Sequence, residues 1–163
     1  MATLENLPAT AEEAFMKIGS TATPTVDDFK LMIYLEASGQ GYYGALAEAA
    51  PTDEIRELLN SNGREEMAHA TRLQRVIKKM TGEDFAIPEP ADNPYYDPPA
   101  DVELTREMLE TIAQGEFGGD ALYGAWADSL DDEECAKWLR QNGKEETRHG
   151  ERAMKVADLL DAA

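Results

Sequence analysis

The chain has 163 residues, and 33 acidic residues against 15 basic ones give it a net charge of −18 at pH 7. This length suits one domain with a buried core, while the acidic excess excludes general binding to nucleic acid or to anionic membranes, which needs a basic face. The single cysteine, Cys135, excludes an intrachain disulfide and a cysteine-based zinc or iron–sulfur site within one chain.

The N-terminal segment, residues 1–23, is predicted to contain one short helix around residues 11–18. It lacks the charged and then apolar pattern of a secretory signal. No run in the chain approaches the 18 apolar residues of a membrane span. We therefore expect a cytoplasmic protein.

Two helical hairpins follow, and a proline-rich stretch separates them. Hairpin 1 covers about residues 25–82: Thr25 caps a helix that runs to Pro51, and a second helix ends near Gly82. Residues 83–100 hold five of the eight prolines and form either an ordered crossover or a mobile loop. Hairpin 2 covers about residues 101–160, with a first helix opening at Asp101 and a break at Asp131.

The two hairpins are copies of one unit. Residues 36–73 align with residues 116–153 at a constant offset of 80, and 14 of the 38 pairs are identical. Apolar residues recur every three or four positions in each helix. The prediction is an all-α fold: a four-helix bundle, residues 24–163, made of two duplicated hairpins joined by a long crossover.

Glutamates and both histidines interrupt the apolar helix faces: Glu36, Glu66, His69, Glu116, Glu146 and His149. Glu36 and Glu66 lie equally far from Pro51, so antiparallel pairing brings them to one height, and the second copy repeats this. Four carboxylates cannot share a dry layer as free anions, whereas two divalent cations balance their charge. The two Glu-x-x-His spacings put carboxylate and imidazole on one helix face, a combination that favours iron or manganese. We predict a two-metal site.

The order of these ligands, Glu36, Glu66-x-x-His69, Glu116 and Glu146-x-x-His149, resembles that of the ferritin-like di-iron superfamily, and within it rubrerythrins and bacterioferritins. The resemblance covers residues 26–160 and implies a ferritin-like bundle with two iron ions per chain, manganese being the alternative. It also implies that Glu66 and Glu146 bridge the metals. Glu36 with His69, and Glu116 with His149, would then be the terminal ligands.

The chain departs from rubrerythrins at two features. They carry a further glutamate one turn after the third-helix glutamate, where this chain has Gly119, mirrored by Gly39. These glycines either leave room for water, oxygen or peroxide or allow close helix packing. Rubrerythrins also carry a four-cysteine module, which one cysteine cannot supply, so the electron donor must be external.

Tyrosines and further glutamates are candidates to surround the metals. Tyr43 and Tyr123 lie two turns after the first glutamate of each copy and either hydrogen-bond a ligand carboxylate or are ordinary core residues. Glu65 and Glu145 either accept the free ring N–H of the opposite copy's histidine or are surface charges.

Met67 holds the position of the haem ligand in bacterioferritins. A lone methionine on a helix face is more often a packing residue. Haem is therefore not expected.

Three functions fit the predicted site. The first is an oxidoreductase that reacts with peroxide or oxygen, as a rubrerythrin-like peroxidase or a ferroxidase, with an external electron donor. The second is an iron-storage subunit, and the third is a metal-binding protein without turnover, because one fold hosts all of these. A homo-oligomer, with a dimer favoured, is expected.

Overall fold

Residues 6–162 are described by a computed structural model, so residues 1–5 of the predicted N-terminal segment and residue 163 lie outside the described part. The described chain contains five α-helices and no strand: α1 Ala11–Gly19, α2 Val26–Glu48, α3 Asp53–Thr81, α4 Arg106–Asp128 and α5 Glu133–Asp161. The all-α prediction is confirmed, including the short N-terminal helix. None of the described helices is long and apolar enough to cross a membrane.

Short polar side chains define where the helices begin. Thr25 accepts from the backbone N–H of Asp28, while the Asp28 carboxylate accepts from the backbone N–H of Thr25, so the pair forms a capping box. Thr52 caps α3 and Asp132 caps α5, in each case through a side chain that accepts from backbone N–H groups of the first turn. Gly82 ends α3 in the left-handed region, with φ of 78°.

The predicted start of hairpin 2 at Asp101 is wrong. The helix begins at Arg106, because Thr105 is its N-cap and accepts from the backbone N–H of Met108. Asp101 has a φ of 53°, whereas an N-cap residue has extended backbone angles. The backbone turn at Asp101 therefore excludes this residue as the N-cap.

The four long helices form the predicted bundle. Helix α2 packs along α3, α4 packs along α5, and the two hairpins meet where α3 packs along α5. The apolar core has two parts, one around Phe29, Val76 and Leu139 and the other around Leu59 and Val156. In every long helix, the predicted metal ligands fall between residues of the two parts, so a polar layer divides the core.

The crossover is ordered and packs against the first hairpin. Asn93 is buried, and its amide donates to the backbone carbonyl of Tyr34 at 2.8 Å. Gln74 of α3 donates to the backbone carbonyl of Phe85 at 2.7 Å. Tyr95 donates to the carbonyl of Pro8 at 2.8 Å, so the crossover also holds the segment before α1.

Candidate metal centre

The polar layer brings the six predicted ligands together. Their donor atoms form two groups in which all atoms lie within 4.8 Å of one another: Glu36, Glu66, His69 and Glu146 in one group, and Glu66, Glu116, Glu146 and His149 in the other. Glu66 and Glu146 belong to both groups, which is the geometry of bridging carboxylates. All six side chains are buried except that of Glu116, which is 15% exposed.

Both imidazole rings turn the same nitrogen towards the centre of the layer. His69 Nδ1 lies 3.3 Å from Glu36 Oε2 and 3.5 Å from Glu146 Oε1. His149 Nδ1 lies 3.4 Å from Glu66 Oε1 and 3.5 Å from Glu146 Oε2. The rings are stacked, with centroids 5.2 Å apart, and Nδ1 of each ring faces the carboxylates at the centre of the layer.

The outer nitrogen of each ring contacts a glutamate of the opposite hairpin. Glu145 Oε2 lies 3.2 Å from His69 Nε2, and Glu65 Oε2 lies 3.0 Å from His149 Nε2. A carboxylate in this position holds the proton on Nε2 and leaves the lone pair of Nδ1 free for a metal.

Two arginines, to which the sequence assigned no role, hold these outer carboxylates. Arg72 donates from both terminal nitrogens to Glu145, at 2.6 and 3.1 Å. Arg152 does the same to Glu65, at 2.7 and 3.1 Å. Paired donation of this kind fixes the orientation of a carboxylate. The signal available in the sequence was that both arginines follow a histidine by three residues and repeat at the offset of 80.

One buried asparagine completes each group of histidine, glutamate and arginine. Asn142 accepts from Arg72 at 2.9 Å and donates to the backbone carbonyl of His69 at 3.3 Å. Asn62 accepts from Arg152 at 3.0 Å and donates to the carbonyl of His149 at 3.2 Å. The asparagines therefore tie α3 to α5 at the height of the histidines.

The tyrosine hydroxyls cross between the two hairpins. Tyr43 donates to Glu116 Oε1, and Tyr123 donates to Glu36 Oε1. The other oxygen of each carboxylate, Oε2, points to a histidine, at 3.7 Å from His149 Nδ1 for Glu116. Each hydroxyl thus occupies one oxygen of a terminal glutamate and leaves the second one for a metal.

Protons occupy the cluster in the metal-free protein. Burial raises the pKa of Glu66 well above its usual range, and the neighbouring Glu36 carboxylate raises it further. Burial and the contact with Glu146 raise the pKa of Glu116 to about 8. Burial lowers the pKa of His149, but the surrounding carboxylates outweigh burial and raise it to about 12. A cation would take the place of these protons.

The residues present fit a pair of metal ions. Within residues 6–162, His149 Nδ1 is the one fully buried side-chain nitrogen or oxygen without a hydrogen-bond partner. It faces three carboxylates, so a cation in the middle would satisfy the nitrogen and the anions together. Oxygen and imidazole donors in this number suit iron or manganese.

The glycines one turn after Glu36 and Glu116 both line the open space beside the cluster, and each lies against a glutamate of the neighbouring helix. A Cβ atom at Gly39 would lie 3.0 Å from the carboxyl carbon of Glu66, and one at Gly119 would lie 3.2 Å from that of Glu146. Their missing side chains therefore make room for the carboxylates of Glu66 and Glu146 on the neighbouring helices.

Gly119→Ala is accordingly expected to weaken metal binding without weakening the fold. The added methyl group pushes Glu146 out of position, while alanine favours a helix by about 1 kcal/mol over glycine. Metal stoichiometry by elemental analysis and the melting temperature of the metal-free protein measure the two effects. Gly124→Ala is the matched control, since its Cβ meets nothing within 4 Å, and it should raise stability and keep both metals. Equal metal affinity in the two variants would contradict the role of Gly119.

Met67 and Cys135 do not belong to either ligand group. Met67, the haem candidate, is partly exposed on α3. Cys135 is buried at the start of α5 within one part of the apolar core.

Comparison with known proteins agrees with this geometry. The family model for rubrerythrin matches residues 30–157, a range that runs from the first turn of α2 nearly to the end of α5. No curated protein and no solved structure matches the chain significantly. A match over most of the chain, on the helices that carry the carboxylate and histidine cluster, shows that the chain belongs to the rubrerythrin family.

Proposed function

We propose that this protein is a di-iron oxidoreductase that reduces hydrogen peroxide or oxygen at the carboxylate and histidine cluster. One observation carries the proposal: two buried ligand groups share Glu66 and Glu146. Two divalent ions balance the four carboxylates, so the loaded site is close to neutral. Iron bound in such a pair supplies two electrons to one substrate molecule.

Each terminal position has one carboxylate and one imidazole. Glu36 with His69 would hold one ion, and Glu116 with His149 would hold the other, with the shared glutamates between them. The tyrosines bond one oxygen of Glu36 and of Glu116, which favours binding of each carboxylate through its second oxygen. Glu36 and Glu116 would then each hold a metal ion through one oxygen, and the bound ions would supply the redox chemistry.

The outer residues keep the histidines in the binding form. Glu145 and Glu65 accept from Nε2, and the arginine pairs keep these carboxylates ionised: the hydrogen bonds from His69 and Arg72 outweigh burial and lower the pKa of Glu145 to about 2. An ionised acceptor holds the imidazole N–H in place and makes Nδ1 a more basic metal ligand.

The reductant comes from outside the chain in this proposal. One cysteine cannot form the four-cysteine iron site of other rubrerythrins. Residues around the cluster would position and protonate the substrate, and a second protein or a small molecule would return the two electrons.

Anaerobic protein loaded with two Fe(II) per chain tests this function. Mixed with peroxide or with oxygen in a stopped-flow instrument, it should show oxidation of the iron, and faster oxidation by peroxide marks a peroxidase. Faster oxidation by oxygen marks a ferroxidase. Iron that stays reduced with both oxidants would overturn the proposal, and a closed shell of many subunits on gel filtration would support iron storage instead.

A further inference from the structure

Helices α2 and α4 border a gap in the bundle. Their backbones stay further apart than those of the pairs α2–α3, α4–α5 and α3–α5. Long side chains span the gap at its inner edge: Tyr43 and Tyr123 reach the glutamates of the opposite helix, and Trp126 of α4 lies edge-on against Phe29 of α2, with centroids 5.4 Å apart. Outside these contacts, the space between the two helices is open.

The gap forms a cleft of about 1060 Å³ that leads to the cluster. It begins beside α1, near Phe15 and Ile18, and ends on Glu36, Glu66, Glu116 and Glu146. Known small-molecule sites have volumes of about 300–1,000 Å³, and a water molecule takes about 30 Å³. The cleft is therefore much larger than peroxide or oxygen requires.

Glycines of α4 keep this volume open. A Cβ atom at Gly115 or at Gly118 would meet no atom within 4 Å, although both positions line the cleft. Elsewhere in the bundle, Gly143 and Gly150 allow close packing, since a Cβ there would lie 2.6 and 2.5 Å from its nearest neighbour. Glycine lowers the stability of a helix relative to alanine, and at Gly115 and Gly118 no close helix contact compensates for that loss.

The chemistry of the walls selects the occupant. Met32, Leu35, Ile112 and Leu122 line the cleft, and within residues 6–162 no basic side chain lines it. Carboxylates form its inner end and would repel an anion. The apolar side chains along the rest of the cleft match a neutral apolar molecule. A protein partner is less well matched, because protein interfaces centre on protruding aromatic, Met and Arg anchors. Of the large apolar side chains exposed within residues 6–162, Phe15 alone lines this cleft.

We propose that this cleft binds an uncharged, apolar small molecule next to the metal centre. The inference goes beyond the proposed function, because neither peroxide nor oxygen needs such a site. Binding itself does not depend on the metals, so the site can be tested whether or not iron chemistry takes place.

The probe is 4-fluorotoluene, titrated into the full-length protein with and without two bound metal ions and followed by fluorine NMR. The wild type should bind it with a dissociation constant below about 1 mM. Gly118→Leu, which fills the cleft, should weaken binding at least tenfold. Gly124→Leu is the matched control on the same helix, since Gly124 also faces open space but does not line the cleft, and it should bind like the wild type.

Three results of the titrations would overturn the proposal: no binding to the wild type, equal binding to Gly118→Leu, or equally tight binding of 4-fluorobenzoate to the wild type. A wild-type dimer that becomes a monomer in Gly118→Leu would also overturn it, since a second copy then occupies the cleft. Gly118→Leu should still bind two metal ions and melt no lower than the wild type, which separates a filled cleft from a failed fold. Loss of iron oxidation with retained probe binding would count against the proposed function alone.

Discussion

Glu66→Ala and Glu146→Ala are each expected to abolish binding of the metal pair while the bundle stays folded. Both carboxylates belong to both ligand groups, so the loss of either removes a ligand from each ion. The remaining three carboxylates also balance only part of the charge of two divalent ions. We therefore expect at most one metal ion per chain at concentrations that give two in the wild type, measured by elemental analysis after anaerobic loading and desalting.

The fold of the Glu66→Ala variant is expected to survive because Glu66 lowers the stability of the metal-free protein. Burial disfavours the charged form of Glu66 and raises its pKa well above its usual range, so its replacement removes an unfavourable group. The metal-free Glu66→Ala variant should melt at or above the temperature of the metal-free wild type. Glu146→Ala should melt lower, because hydrogen bonds from Glu116 and the two histidines outweigh burial and lower the pKa of Glu146, so its carboxylate stabilises the metal-free fold. Glu151→Ala, an exposed position on α5, is the control and should keep both metals. A Glu66→Ala protein that still holds two ions would rule out its bridging role.

Metal removal is expected to reverse the pH dependence of stability. His149 has a pKa of about 12 in the metal-free fold against about 6.5 in an unfolded chain. Its stabilisation is complete below pH 6.5 and is lost as the pH rises towards 12. The pKa of Glu116 is about 8 in the fold against about 4.3 when unfolded, so stability is also lost as the pH rises from about 4.3 to 8.

Both groups therefore lower the stability of the metal-free protein between pH 6.5 and 8, by up to about 1.4 kcal/mol per pH unit each. With metal ions bound, the same rise in pH removes competing protons and strengthens binding. Without metal, the calorimetric melting temperature should be several degrees lower at pH 8.0 than at pH 6.5. With manganese(II) bound, it should stay the same or rise over this interval. Glu116→Gln should flatten the metal-free curve. Parallel curves with and without metal would contradict the exchange of protons for metal.

Much of the fold was predictable because local rules act within single helices. Thr25 and Thr52 cap the helices that the sequence predicted, and Gly82 ends α3. The start of hairpin 2 was not predictable in this way, since Asp101 and Thr105 are both acceptable caps by residue type. The backbone angles of the crossover decided between them.

By itself, the sequence determined which helix face and which height each predicted ligand occupies. Helical periodicity sets the face, and equal distance from a hairpin turn sets the height, so the six ligand candidates followed from their spacing in two copies. Only the tertiary structure decided which side chains meet across the bundle. Tyr43 pairs with Glu116 of the other hairpin, and Arg72 pairs with Glu145.

These contacts, and the cleft between α2 and α4, depend on how far each helix is rotated and displaced from its neighbours. Rotation and separation result from the packing of side chains from all helices at once. A repeat within one chain contains no record of that packing. The sequence showed that Gly39 and Gly119 occupy equivalent positions, but only the assembled bundle shows that they make room for Glu66 and Glu146.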